Sequence, residues 1–342
     1  MITLLPNGKL VPSLAEKYEI SPDGLTYTFY LRKGVKFTNG SEFKASDVKF
    51  SVERGMNSDF IGEGYIDVEG CEVIDDYTVK IHMKVPNVGF LERMTNYYGA
   101  MVSEEVANKY GEQFGKTVES VVGTGPYILK EWKPGELTVF EANPNYFKGE
   151  PDIKKFRFKS ITDVNAAIIA LQTGEIDLYF ADIPGISLDA VAKNEKLNLV
   201  SYPSMIYKFV FMNSESGIFK DLNLRKAVAY AVDREKMNIV GTEGHGTIVD
   251  YPGNTDYAGN PGIKTWYDLD IEKAKQLVKE AGMEGKTVTI KTFATDDYPK
   301  IATSLQDDLS SIGLDAKVIQ MERNAFYDET DKGDFEMGIA RL

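Results

Sequence analysis

Residues 160–184 set the tightest limit on the fold, because a helical and an extended pattern abut there with one glycine between them. Thr162, Asp163 and Asn165 each carry a side-chain oxygen able to accept from the unpaired first-turn amides of a helix. Ala166, Ile169 and Ala170 recur at three- and four-residue spacing, which gives that helix one apolar face. Gly174 enters the left-handed region without a Cβ penalty, so the helix is expected to end there. Ile176, Leu178 and Phe180 then alternate with Asp177 and Tyr179, and the spacing predicts a strand at once. Pro184 cannot continue a central ladder. A strand leaving its sheet there delivers polar and aromatic groups to the edge of a cleft. Such an αβ unit alone names no function.

The remaining segments extend the same grammar. Ser21-Pro22-Asp23-Gly24 is a turn by chemistry. Tyr27, Phe29 and Leu31 alternate behind it as a half-buried strand. Asp47 suits the first turn of the next helix, whose buried face is marked by Val48 and Val52. Residues 68–85 read as a hairpin with Asp75-Asp76 in the turn, and Val79, Ile81 and Met83 on one face. Ser103 caps a polar helix running to about Phe114. Residues 205–212 read as a strand with Met205, Tyr207, Phe209 and Phe211 on one face and Ile206, Lys208, Val210 and Met212 on the other. Asp221 then caps a helix striped by Leu224, Ala227, Val228, Ala231 and Val232. Residues 241–261, rich in Gly, Pro, Asn and Tyr, predict a long surface loop. From Tyr267 onward helix and strand alternate over 271–281, 287–293, 301–312, 314–320, 324–328 and 335–340, the signature of an α/β domain.

Several function classes lose ground on chemistry. A formal net charge of −13 argues against nucleic acid, whose phosphates need clustered Lys and Arg. No apolar run reaches the roughly 18 residues of a membrane span, and the first residues lack the pattern of a signal peptide. Cys71 is the only cysteine and reads as a buried small hydrophobe. His82 and His245 are the only histidines, neither with a metal partner spaced nearby, so no metal or cofactor is expected. The stretch from Gly111 to Thr117 imitates a phosphate loop, but it has three residues between its glycines and follows a helical pattern. No G-x-S-x-G, H-E-x-x-H or nucleophile–histidine constellation occurs, which leaves a peptide hydrolase with little to build from. No catalytic residue is assigned.

Three longer segments carry a resemblance. PSLAEKYEISPDGLTYTFYLRKGVKFTNG followed by KASDVKFSVER, then the run from Gly123 to Asp177, and then Asn213, Phe219, Asp221, Arg225, Ala227, Ala231, Asp233 and Arg234 resemble the bacterial extracellular solute-binding proteins of the oligopeptide, dipeptide and nickel group, family 5. Tyr18 stands where that family usually has tryptophan, and Asn39 where aspartate is frequent.

The resemblance implies an α/β, periplasmic-binding-protein-like fold (type II, cluster C) with two lobes around a cleft and an extra subdomain, trimmed at both ends. Expected domains are residues 1–103 (N-terminal lobe part and extra subdomain), 104–202 (remainder of the first lobe) and 203–342 (second α/β lobe). It implies a monomeric, non-enzymatic component of an ABC importer that captures oligopeptides or dipeptides outside the cell membrane and passes them to permease subunits. A nickel chelate or another small solute is the alternative ligand. Attachment to the membrane would be only through a lipid anchor missing from this chain. Together with strand parity, the resemblance places Phe180, Ala181 and Asp182 on one ligand wall, Tyr207, Phe209 and Phe211 on the other, and Tyr97 and Tyr98 as closing groups. It also implies that a tryptophan and an acidic residue just past Leu342 hold the ligand's amino group.

Overall fold

The computed structural model describes residues 1–180, 183, 185–202, 206–249, 267–295 and 297–341. They group into two units, Met1–Thr162 and Asp163–Leu342.

In the first unit, Ile2–Leu4 (β1) and Leu10–Pro12 (β2) form an antiparallel ribbon. Ala15–Ile20 (β3), Thr26–Leu31 (β4), the helix Ala45–Met56 (α1), Val68–Asp75 (β5) and Thr78–Met83 (β6) follow. The strands pair antiparallel in the order β3-β4-β6-β5. Strand parity puts Tyr27, Phe29 and Leu31 of β4 beside Val79, Ile81 and Met83 of β6 in one core, with Val48 and Val52 of α1. Each such side chain contributes about 1.5–3 kcal/mol when fully buried. The hairpin turn falls on Asp76 and Tyr77, one residue later than expected. The cause is local: Asp75 stays in register with Thr78, and its carboxylate accepts from the Tyr77 amide at 2.7 Å.

The buried Asp47 ties two helices together. Its carboxylate accepts from Lys44 N at 2.9 Å and from Glu104 N at 3.0 Å, so one side chain serves the start of α1 and the start of a later helix. After Phe90–Arg93 (α2), that helix, Glu104–Tyr110 (α3), is capped by Ser103, whose Oγ accepts from Val106 N at 3.4 Å. Tyr127–Lys133 (β7), Leu137–Ala142 (β8) and Lys155–Lys159 (β9) close the unit as a three-stranded antiparallel sheet.

The second unit opens with Val164–Thr173 (α4). Asp163 caps it, accepting from Ala166 N at 2.7 Å, and Gly174 ends it at φ +75°. The buried face is Ala167, Ile168 and Ala170, whereas Ile169 is exposed, so the apolar stripe is rotated from the one expected. Nor do Ile176, Leu178 and Phe180 form a strand. The Glu175 and Ile176 amides are both held by Ala170 O (2.8 and 3.3 Å), and no described residue pairs with the segment. Alternation prepares a face, but a strand also needs a neighbour to complete its ladder. Leu178 and Phe180 are left 77% and 83% exposed.

Gly185–Ala192 (α5), Lys208–Met212 (β10), Leu222–Ala231 (α6), Arg234–Thr242 (α7) and Ile271–Glu280 (α8) lead into Thr287–Phe293 (β11), Tyr298–Ser311 (α9), Asp315–Met321 (β12), Arg323–Asp331 (α10) and Met337–Arg341 (β13). The sheet order is β10-β13-β11-β12, with β11 parallel to β12 and β13, and β10 antiparallel to β13. Helix α9 is the crossover that two adjacent parallel strands require. The core joins Ile290 and Phe293 of β11, Met337 and Ile339 of β13, Leu305 and Leu309 of α9, and the expected α6 stripe of Leu224, Ala227, Val228 and Ala231. Asn213 locks the turn before β13: its amide donates to Gly333 O (3.0 Å) and Phe335 O (3.2 Å), while its oxygen accepts from Glu215 N and Ser216 N. The loop expected over 241–261 lies outside the described residues from 250 onward.

Candidate functional site

Because β11, β12 and β13 run parallel, their carboxyl ends at Phe293, Met321 and Arg341 share one edge of the sheet. Antiparallel β10 brings its amino end to that edge, where Lys208 stands opposite Arg341. Helices α9 and α10 begin just after β11 and β12, so their positive dipole ends lie there too. In open α/β sheets this is the edge outside which ligands bind.

Several charges meet on this edge. Lys208 pairs with Asp297, the N-cap residue of α9, and the Asp297 carboxylate consequently makes no capping bond to the helix. The Lys208 ammonium also lies 5.3 Å from the Tyr298 ring centre. Arg341 and Arg323 form no ion pair among the described residues, although both act electrostatically on the Tyr298 hydroxyl. Arg323 instead stacks over Phe293 at 5.1 Å. Lys208, Arg323 and Arg341 thus bring three cations to this edge, beside the carboxylates of Asp297 and of Glu322, which caps α10. The Tyr298 hydroxyl is buried with no hydrogen-bond partner among the described residues, and burial pushes its pKa up to about 12. It stays a neutral O–H donor. Cations such as Arg323 and Arg341 have the chemistry to receive a carboxylate.

The aromatic row expected on β10 is present. Tyr207 lies 5.5 Å from Phe209 and Phe209 5.7 Å from Phe211, ring centre to ring centre. The strand begins at Lys208, so Tyr207 stands just before it, and Met205 lies outside the described residues. Phe211 is engaged in packing: it meets Phe326 and Phe335, and a Cβ at Gly338 would come within 2.3 Å of its ring. Phe180 is exposed and makes no ring contact with this row among the described residues. Ala181 and Asp182 lie outside the described residues.

Tyr97 and Tyr98 belong to the first unit, on a 3-10 turn capped by Asn96, whose Oδ1 accepts from Tyr98 N at 2.9 Å. Their rings lie 4.4 Å apart. His82 sits on the strand surface between Glu72 (3.2 Å) and Thr26 (3.4 Å). Burial pushes the Cys71 thiol up to about 12, which keeps it unreactive.

Sequence reasoning missed Lys208, Tyr298, Arg323 and Arg341. Lys208 was visible as the one charge in an apolar strand, but parity assigned it to the face away from the aromatic row. The others meet only when the parallel topology gathers strand ends from distant segments.

The chain matches the bacterial extracellular solute-binding proteins, family 5 Middle, over residues 9–342. It is 33% identical over 335 residues to the glutathione-binding protein GsiB of Salmonella choleraesuis (strain SC-B67), covering 95% of this chain and 64% of that protein. Against GsiB of Escherichia coli (strain K12) the identity is 31% over 340 residues, covering 97% of this chain and 65% of the relative. The chain thus spans just under two thirds of the length of these relatives. Among solved structures, the periplasmic binding protein DppA from Helicobacter pylori, in complex with the peptide STSA, superposes with a TM-score of 0.82 at 28% identity, covering 100% of this chain and 71% of that one. NikA from Brucella suis, in complex with Fe(III)-EDTA, gives 0.86 at 28% identity, covering 100% and 72%. The α/β fold is that of these binding proteins, and the chain belongs to the bacterial extracellular solute-binding proteins, family 5.

Proposed function

We propose that this protein is the solute-binding component of an ABC importer, capturing oligopeptides or dipeptides outside the cell membrane and delivering them to permease subunits without altering a covalent bond. The observation that carries this reading is the superposition of this whole chain on 71% of a relative solved with a bound peptide. The glutathione-binding relatives support the same class, since glutathione is itself a small peptide with free carboxylates. The sheet edge at Lys208, Arg323 and Arg341 has the chemistry to hold such a carboxylate. Tyr207, Phe209, Phe211, Phe180, Ala181, Asp182, Tyr97 and Tyr98 are proposed as ligand contacts. A lipid anchor and a monomeric state belong to the same proposal.

A second reading, capture of a metal chelate, is favoured by the match to NikA holding Fe(III)-EDTA, because a polycarboxylate chelator would meet the same cations. Native mass spectrometry of protein purified from its expression host separates the two. A ladder of peptide masses released on denaturation is expected. A single metal-bearing solute would redirect the assignment to the chelate.

A further inference from the structure

Among the described helices of the second unit, acidic residues at the start act as caps, with one exception. Asp163, Asp221, Asp233, Asp270 and Glu322 each accept a first-turn amide of the helix that follows. Asp297 holds the same position before α9 and makes no such bond. Its carboxylate is turned onto the Lys208 ammonium instead. A capping carboxylate stabilises its helix, and Asp297 gives that bond up for the lysine.

The neighbouring strand supplies the reason. Lys208 and Arg341 are register partners across β10 and β13, so their side chains leave the same face of the sheet. Like charges directly opposite one another destabilise a strand pair. Asp297 neutralises one of the two, while Arg341 forms no ion pair among the described residues. The Lys208 side chain is 31% exposed and that of Asp297 19%, so solvent screens this pair less than a fully exposed one. Helix α7 walls it on one side, where a Cβ at Gly241 would lie 3.4 Å from Asp297 Oδ2. The Tyr298 hydroxyl, whose pKa is raised chiefly by burial, also feels Arg341, Asp297, Arg323 and Tyr327. Asp297 and Arg341 therefore act at one common point.

A carboxylate of the protein itself thus occupies one of two facing cations and leaves the other open. A ligand bringing one carboxylate finds Arg341; a second carboxylate beside it meets Asp297, a like charge, where Lys208 is already taken. We infer that Asp297 sets how many carboxylates a ligand can present at this edge. By keeping Lys208 occupied, it favours a peptide whose terminal carboxylate stands alone over an acidic peptide or a polycarboxylate. This rests on the peptide reading above. A purely structural pair, there only to relieve the repulsion between Lys208 and Arg341, would change stability and leave ligand choice untouched.

The test uses the full chain and two tripeptides, ending in asparagine or aspartate after two alanines, which share a shape and differ by one carboxylate. Calorimetry with the wild type should show the aspartate peptide bound no tighter than the asparagine peptide. In Asp297→Asn the aspartate peptide should bind about tenfold tighter than the asparagine peptide, and the double variant Asp297→Asn/Lys208→Met should bring that ratio back to about one. Lys208→Met alone checks the same point without touching Asp297. It leaves the Asp297 carboxylate to compete for Arg341, so the preference for the asparagine peptide over its carboxamide should fall about tenfold. An unchanged peptide ratio in Asp297→Asn, a gain that survives the loss of Lys208, or an unchanged preference in Lys208→Met would overturn the inference and leave the peptide reading intact. No binding of either tripeptide by the wild type would overturn both.

Discussion

Removing the Asp47 carboxylate tests how the first unit is held together. Asp47 is 7% exposed and accepts from two backbone amides, Lys44 N at 2.9 Å and Glu104 N at 3.0 Å. Asp47→Ala leaves both donors without their acceptor in a largely buried site. A buried donor left unpaired costs about 1–3 kcal/mol, so the pair predicts a loss of ~3 kcal/mol from the first unit. With a urea dependence of about 1–3 kcal/mol per molar, its unfolding midpoint should fall by roughly 1–3 M. The control is Asp76→Ala, which removes an exposed ion pair with Lys44 and should change stability by less than about 0.5 kcal/mol. The pH dependence has a definite sign. Burial raises the Asp47 pKa in the folded state, with the two backbone bonds opposing it. The stabilisation linked to its protonation is therefore complete below the ordinary carboxylate range and lost as pH rises through the raised folded value. The gap between wild type and Asp47→Ala should accordingly widen as pH falls through that value. A midpoint within 0.3 M of wild type at neutral pH would refute the double-cap account.

Other predictions concern the second unit and the thiol. Arg341→Ala should weaken peptides with a free carboxyl terminus about tenfold or more and leave their carboxamides little changed, read by calorimetry; equal losses for both would remove the carboxylate role. Asn213→Ala breaks four hydrogen bonds around the turn before β13 and should cost the second unit about 2–4 kcal/mol in chemical denaturation. Cys71 should resist thiol reagents at pH 8 until the protein unfolds, since its pKa is pushed up to about 12; rapid labelling of the native protein would contradict its burial.

Local chemistry was readable wherever a residue's role is set by its own neighbours. Asp163, Gly174, Ser103 and Asp221 cap or end their helices as their side chains dictate. The alternation of Tyr27, Phe29 and Leu31 became a buried face because β3 and β6 flank that strand. The same alternation at Ile176, Leu178 and Phe180 produced no strand, because no described partner completes its ladder. Periodicity also misplaced the α4 stripe: Ala166 to Leu171 are all apolar, so no polar residue marks the outer face and neighbours decide which way the helix turns. The charged edge was the least legible feature. Lys208, Tyr298, Arg323 and Arg341 are scattered over more than a hundred positions and meet only through parallel pairing.

Capture without chemistry is tested most directly by mixing the full chain with a defined tripeptide, following the heat of binding, and then weighing the recovered peptide by mass spectrometry. One molecule bound per chain, recovered at its original mass, is the predicted result. Cleaved peptide, or no saturable binding across peptides and carboxylate chelates alike, would contradict it.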